Sequence, residues 1–271
     1  MSENGVEHQV FFQDDDFMEG DYGRPVRILS EYLGPLSKFK EERISDTIVM
    51  FGSARTLSQK DADAKLKEAT RTGEGVNAAN IAVKNAHYYE AARELASRFT
   101  VWARGIDEEK QRFVVCSGGG PGIMEAANRG ANDAGGTNIG LNIQLPFEQH
   151  ENPYITDDLS FQFHYFFMRK FWFVSLAKAV IVFPGGFGTL DEFFELMTLN
   201  QTGKLDHKIP IVLFGTNYWS KVLNLDAMAE EGTISPEDVN LFYRTDSIDD
   251  AFKFITDDLS ANSMDIPGLI L

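Results

Sequence analysis

The chain has one cysteine in 271 residues, so no disulfide can form within it and packing alone must hold the fold. That thiol, Cys116, ends the apolar run Phe113-Val114-Val115-Cys116 and reads as a small side chain buried in a strand. Basic residues are scarce. Against 41 Asp and Glu stand only 25 Lys and Arg, a formal charge of -16. Such an excess repels nucleic-acid backbones and anionic membranes, which excludes both as expected partners. No apolar run approaches the roughly eighteen residues that would span a bilayer. The 5 histidines are scattered and no Cys/His cluster has metal-ligand spacing, so no metal is expected. The start, Met1-Ser2-Glu3-Asn4-Gly5, lacks the basic-then-apolar order of a secretory signal. Together with the single thiol, this points to a reducing, cytoplasmic location.

What is present is an ordinary globular composition, long enough for one sizeable core. Residues 1–45 read as an extension. It holds a solvated charge run, Asp14-Asp15-Asp16, expected in a mobile arm. The helical spacing of Val26, Leu29, Tyr32, Leu33 and Leu36 then predicts a short docking helix. Residues 46–271 read as one domain. Short apolar runs at 47–51, 113–116, 138–145, 161–167, 179–183 and 209–214 predict strands. Helical patterns fall at 78–103, 123–134, 168–178, from the glycine cluster at 184–189 to about 202, and at 218–231 and 248–259. Residues 57–75 are polar and rich in Ala and Lys, and 146–160 read as loop. Repeated strand–helix alternation predicts a Rossmann-like, doubly wound α/β fold, with a parallel sheet covered on both faces.

Two strand-to-helix junctions carry glycine clusters: Ser117-Gly118-Gly119-Gly120-Pro121-Gly122, and Pro184-Gly185-Gly186-Phe187-Gly188-Thr189. In an open parallel sheet both lie at the carboxyl edge, where ligands bind. Glycine lets the backbone approach an anion, and free N–H groups at the next helix start point at it. Neither loop is a P-loop, for no Gly-Lys-Ser/Thr follows, and neither fits a dinucleotide fingerprint with its ribose-binding acid. A mononucleotide phosphate fits better.

Thr189-Leu190-Asp191-Glu192 has the spacing of a capping box, which would make Glu192 a purely structural acid. The other reading places Glu192 one turn into a helix at the mouth of the phosphate loop, with Asp191 and Glu195 solvated. Met168-Arg169-Lys170 follows the aromatic stretch Phe161-Gln162-Phe163-His164-Tyr165-Phe166-Phe167, read as mostly core, His164 included. A guanidinium buried beside such a stretch wants an anion.

These segments, with Gly122-Ile123-Met124-Glu125-Ala126-Ala127, resemble the LOG ("lonely guy") family over about residues 47–214. Its members are cytokinin riboside 5′-monophosphate phosphoribohydrolases, long mislabelled as lysine decarboxylases, and the longer N-terminal region looks like the bacterial long branch. The resemblance implies hydrolysis of the N-glycosidic bond of a nucleoside 5′-monophosphate, with Arg169 and Glu192 as the catalytic pair. It implies that Gly185, Gly186, Gly188 and Thr189 bind phosphate, with Lys170 as basic neighbour. Gly118 and Gly119 of the first loop are read as substrate-binding. Glu148 is the candidate for a further ligand acid, Glu151 being nearly as good, and Thr198 for a ligand threonine. No cofactor is implied, and a homo-oligomer of at least two copies is. The sequence departs from the short members' Met-His-x-Arg-Lys, reading Phe166-Phe167-Met168-Arg169-Lys170, which bears on base preference more than on the reaction. The alternative is a nucleotide- or cofactor-binding sensor or carrier without turnover. A pyridoxal-phosphate decarboxylase needs a Schiff-base lysine, and nothing in the sequence singles one out.

Overall fold

The computed structural model describes residues 9–146, 150–266 and 268. In chain order it holds α1 (Asp15–Glu19), α2 (Arg24–Glu41), β1 (Thr47–Phe51), α3 (Gln59–Thr72), α4 (Val76–Ala103) and β2 (Val114–Ser117). Then come α5 (Ile123–Asp133), β3 (Asn138–Ile143), β4 (Ser160–Phe163), α6 (Phe166–Ser175), β5 (Ala177–Val182) and α7 (Phe187–Thr202). The chain continues through β6 (Ile211–Phe214), α8 (Thr216–Val222), α9 (Leu225–Glu230), β7 (Tyr243–Thr245) and α10 (Ile248–Asn262). The strands form one 7-stranded sheet in the order β4-β3-β2-β1-β5-β6-β7, every pair parallel. This is the doubly wound α/β architecture.

Strand apolarity explains the layers. β1 and β5 are buried at every residue, as strands covered on both faces must be. Val49, Phe51, Val180 and Val182 face one core with residues of α2, α6 and α7. Ile48, Met50, Ala179 and Ile181 face the other with α4, α5 and α10. Small residues let the second layer close tightly: a Cβ on Gly130 of α5 would lie 2.0 Å from the Arg93 carbonyl oxygen of α4. Among the described residues no helix is long and apolar enough to cross a membrane.

Several local expectations are corrected. Residues 57–75 contain the helix α3, started by Ser58, whose hydroxyl accepts from Asp61 N, and stopped by Gly73 at φ 76. Its burial is confined to Ala62 and Ala69, so no apolar stripe announces it. The aromatic run does not stay extended. The Tyr165 carbonyl accepts from Met168 N and Arg169 N, and Phe166 already opens α6. Phe166, Phe167 and His164 are exposed rather than core. The expected helix at 218–231 is two, because Asn224 caps a new start at α9. Asp14 caps α1 by accepting from Phe17 N, so the acidic run begins a helix.

The docking helix α2 has 18 residues and reaches the body through Tyr32 and Phe39, both packed on Trp172. The Glu31 carboxylate accepts from His164 N at 2.7 Å and Tyr165 N at 3.2 Å, and Trp172 Nε1 donates to the Glu31 carbonyl at 2.9 Å. The extension thus fixes the start of α6, the helix that carries Arg169.

Candidate active site

From β1 the chain winds outward to β4, then returns to the other side of β1 with β5. Winding reverses between β1 and β5, and in open α/β sheets ligands bind outside the carboxyl ends of the strands at such a reversal. Three loops meet at it. Ser53 N, after β1, donates to the Pro184 carbonyl of the second glycine loop at 3.0 Å. The Ser53 carbonyl accepts from Ile123 N, at the start of α5, at 3.1 Å. This β1 loop escaped the sequence reading. Its one signal is the turn Gly52-Ser53 after the first strand, and its central place is visible only once the strand order is known.

The second glycine loop leads into α7. Gly186 is the N-cap and makes no side-chain cap bond, so α7 begins at Phe187 with Thr189 inside its first turn. Thr189 is therefore not an N-cap, and the capping-box reading of Thr189 and Glu192 is corrected. A Cβ on Gly185 would lie 2.1 Å from Thr189 Oγ1, so packing requires glycine there. At Gly186 and Gly188 a Cβ would meet nothing within 4 Å. Packing does not demand glycine at those two positions; a ligand that approaches the backbone would. The first N–H groups of α7 have no partner within the helix, and Gly186, Phe187 and Gly188 are exposed, which leaves an open anion cradle. Tyr218 Oη donates to the Gly185 carbonyl at 2.5 Å and steadies the turn.

The first glycine loop is buried and tighter. A Cβ on Gly119, at φ 71, would lie 2.3 Å from Asn142 Oδ1. A Cβ on Gly118 would lie 2.6 Å from Met124 Sδ and 3.7 Å from Arg169 Nη2. Arg169 therefore borders the first loop as well as α7, the helix that follows the second. At α5 the Ile123 N–H is already used by Ser53, so the freer cradle is that of α7.

Arg169 and Glu192 meet. Arg169 Nη2 donates to Glu192 Oε1 at 3.2 Å, with side-chain exposures of 12% and 9%. The guanidinium packs over Phe173, 5.2 Å from its ring centre, and its Nε is buried without a partner among the described residues. Burial pulls Arg169 below its ordinary pKa, against the charge of Glu192. Burial likewise raises the Glu192 carboxyl to about 6, against the pull of Arg169. Desolvation outweighs the ion pair at both ends. The cleft thus holds a carboxylate that titrates near neutrality beside a cation with unused donor capacity.

Other expected residues lie apart. Lys170 points away from the pair: its Nζ is 2.7 Å from Asp191 Oδ2 and 3.5 Å from Glu195 Oε2. Burial pulls its ammonium down, but the hydrogen bond to Asp191 and the charge of Glu195 outweigh that and raise it. Thr198 is exposed on the same outer face of α7, its hydroxyl bonded to the Phe194 carbonyl. Glu148 lies outside the described residues. Glu151 is exposed and accepts from Ser160 Oγ at 2.5 Å. Among the described residues no group of acids, His and Cys could hold a metal.

A family model described as "Possible lysine decarboxylase" matches residues 124–255. The cytokinin riboside 5′-monophosphate phosphoribohydrolase of Rhodococcoides fascians is 33% identical over 139 residues, covering 49% of this chain and 67% of that protein. The probable cytokinin riboside 5′-monophosphate phosphoribohydrolase LOGL3 of Oryza sativa subsp. japonica is 33% identical over 153 residues, 55% of this chain and 66% of that one. Among solved structures, the molybdenum cofactor binding protein of Rippkaea orientalis aligns with 79% of this chain and 98% of its own, at 18% identity and a TM-score of 0.48. Identity of 33% across 67% of the Rhodococcoides fascians protein shows that this chain belongs to the LOG family, the family of the cytokinin riboside 5′-monophosphate phosphoribohydrolases.

Proposed function

We propose that this protein hydrolyses the N-glycosidic bond of nucleoside 5′-monophosphates, of the AMP or cytokinin riboside type, to free base and ribose 5-phosphate. The observation that carries the reading is the buried pair of Arg169 and Glu192, 3.2 Å apart beside the open start of α7. A phosphate monoester in the 184–189 turn receives the free N–H groups of α7 and the positive end of its dipole. Glu192 lies five residues beyond Phe187, about 7–8 Å along the axis at 1.5 Å per residue. That offset supports a role for the carboxylate at the sugar rather than at the phosphate. Cleaving the C1′–N bond builds positive charge on the ribose, which an adjacent carboxylate stabilises while it orients the attacking water. Arg169 neutralises the acid, and its spare donors hold phosphate or ribose oxygens, converting binding into alignment. The reaction as written needs no cofactor.

A carrier without turnover gains nothing from a buried acid near a bound anion, where it costs affinity. The test is incubation with AMP, GMP, IMP, CMP and isopentenyladenosine monophosphate, followed by chromatography for free base. Release of base from at least one is expected; binding without release from any would overturn the hydrolase in favour of the carrier. The same proposal includes a cytoplasmic location and a homo-oligomer, to which the exposed rings of Phe187 and Phe194 on α7 would give an apolar contact.

A further inference from the structure

Beneath the first glycine loop runs a hydrogen-bonded chain of buried side chains that includes Ser117, Asn128, Asn138 and Asn152. Ser117 Oγ donates to Asn128 Oδ1 at 2.6 Å and accepts from Gly119 N at 3.0 Å. Asn128 Nδ2 donates to Asn138 Oδ1 at 2.8 Å and to the Ile139 carbonyl at 3.0 Å. Asn152 arrives from the loop between β3 and β4. Its Nδ2 lies 3.0 Å from the Gly119 carbonyl oxygen, 3.1 Å from that of Gly120 and 2.9 Å from Asn128 Oδ1. Its backbone N donates to the Gly119 carbonyl as well, at 2.8 Å. A buried polar network with its partners in place is stiff and admits one arrangement.

That arrangement has a direction. Carbonyl oxygens facing an anion would repel it, and here two consecutive carbonyls are turned onto Asn152. In a trans peptide the C=O and the following N–H point opposite ways. Turning the Gly119 carbonyl onto Asn152 therefore aims the Gly120 N–H at the far side of the loop. Among the described residues no group accepts from it. The next residue, Pro121, has no N–H to offer.

We propose that Asn152 is a positioning residue. It locks the first glycine loop with its carbonyls turned away and the Gly120 N–H presented to an acceptor oxygen of the bound nucleoside monophosphate. This rests on the hydrolase reading for its ligand. It also ties the loop to the segment that follows β3, so both walls of that end of the cleft move together.

The test compares Asn152→Asp, which keeps the shape and reverses the hydrogen-bond polarity, and Asn152→Ala with Asn200→Ala. Asn200 is a buried asparagine that bonds both the N–H and the carbonyl of Ile209. Both Asn152 variants should raise KM and the calorimetric Kd for AMP about tenfold, the loss of one hydrogen bond to a charged oxygen, with a smaller change in kcat. Asn200→Ala should lower Tm without moving KM. Unchanged KM and Kd in both Asn152 variants, or an equal rise in Asn200→Ala, would overturn the proposal. If the wild-type protein binds nucleoside monophosphates, AMP included, but releases base from none of them, the hydrolase reading fails while the Kd series still judges Asn152. No affinity for any nucleoside monophosphate overturns both.

Discussion

Replacing Glu192 by glutamine separates charge from shape at the centre of the proposed mechanism. The amide fills the same volume and still accepts from Arg169 Nη2, but it cannot ionise. Burial raises the wild-type carboxyl from 4.5 to about 6, against the opposing charge of Arg169. If turnover needs the ionised form, the active fraction is about 0.97 at pH 7.5, about one half at pH 6 and about one tenth at pH 5. Wild-type kcat/KM should therefore fall at least about tenfold between pH 7.5 and 5. The Glu192→Gln enzyme should be slower by about 10²–10⁴-fold and lack that limb. The substrate complicates kcat/KM, because a phosphate monoester loses its second proton near pH 6. That contribution persists in the variant, so the difference between the two profiles belongs to Glu192. Base release followed by chromatography across pH 5–8 reads both. A wild-type kcat/KM profile no steeper than the variant's, or a variant within about tenfold of wild type, would refute the assignment.

The same substitution has a stability signature whose sign is fixed. A carboxyl with a folded pKa above its unfolded value costs stability while ionised; the cost is present above the folded pKa and relieved as pH falls through it. A rise from 4.5 to about 6 corresponds to about 2 kcal/mol at 1.36 kcal/mol per pH unit. The stability of Glu192→Gln relative to wild type should therefore grow by up to about 2 kcal/mol between pH 4.5 and 7.5 in urea titrations. Whatever constant penalty the weakened contact with Arg169 imposes cancels from that slope. A relative stability that falls with pH would mean the ion pair, not burial, dominates the site.

Three further perturbations separate fold from ligand. Gly188→Ala places its methyl in open space inside α7 and should gain up to about 1 kcal/mol of helix stability by thermal unfolding, yet raise the KM for AMP by narrowing the cradle. Gly185→Ala should instead lose about 1–3 kcal/mol, since its Cβ would lie 2.1 Å from Thr189 Oγ1; equal Tm effects at the two positions would contradict this division. At the opposite edge of the sheet, Asp46→Ala strands the buried guanidinium of Arg112, 2.7 Å from Asp46 Oδ2. It should cost about 3–5 kcal/mol in denaturant with KM unchanged.

The doubly wound sheet was legible because its strands are short apolar runs closed by glycine or proline, and 47–51, 113–116 and 179–183 each fall within two residues of the observed strand bounds. What stayed hidden was held by features without periodicity. α3 has a cap and a stop but a polar surface, and β7, with Tyr243 and Arg244 exposed at the sheet edge, has no apolar pattern to betray it. The turn from β4 into α6 was misplaced because Phe166 and Phe167 look like core by type. They are exposed because the Tyr165 carbonyl has already begun a helix. The network of Ser117, Asn128, Asn138 and Asn152 could not be read at all, since short polar side chains far apart in sequence carry no signal until the fold joins them.

At the site, the sequence singled out the acid that the structure buries against Arg169, for a reason it could not weigh. Asp191, Glu192 and Glu195 stand within one turn and a quarter of α7, and only helical rotation sorts them. Successive residues turn by about 100°, so neighbours 191 and 192 cannot share a face. Asp191 swings outward, and with Glu195 it holds Lys170 away from Arg169. Glu192 swings inward, 7% exposed, onto the guanidinium. The outer pairing has a consequence for the inner one. With the ammonium of Lys170 engaged by two other acids, Arg169 is the chief charge that opposes the burial of Glu192, and burial wins. One helix turn therefore divides five charged groups into an outer set of Lys170, Asp191 and Glu195 and the buried pair of Arg169 and Glu192, whose carboxyl burial raises to about 6. Shifting α7 by a single residue would exchange the roles of Asp191 and Glu192. The glycines ahead of it fix that register: Gly186 caps the helix, and Gly185 leaves the space that Thr189 fills.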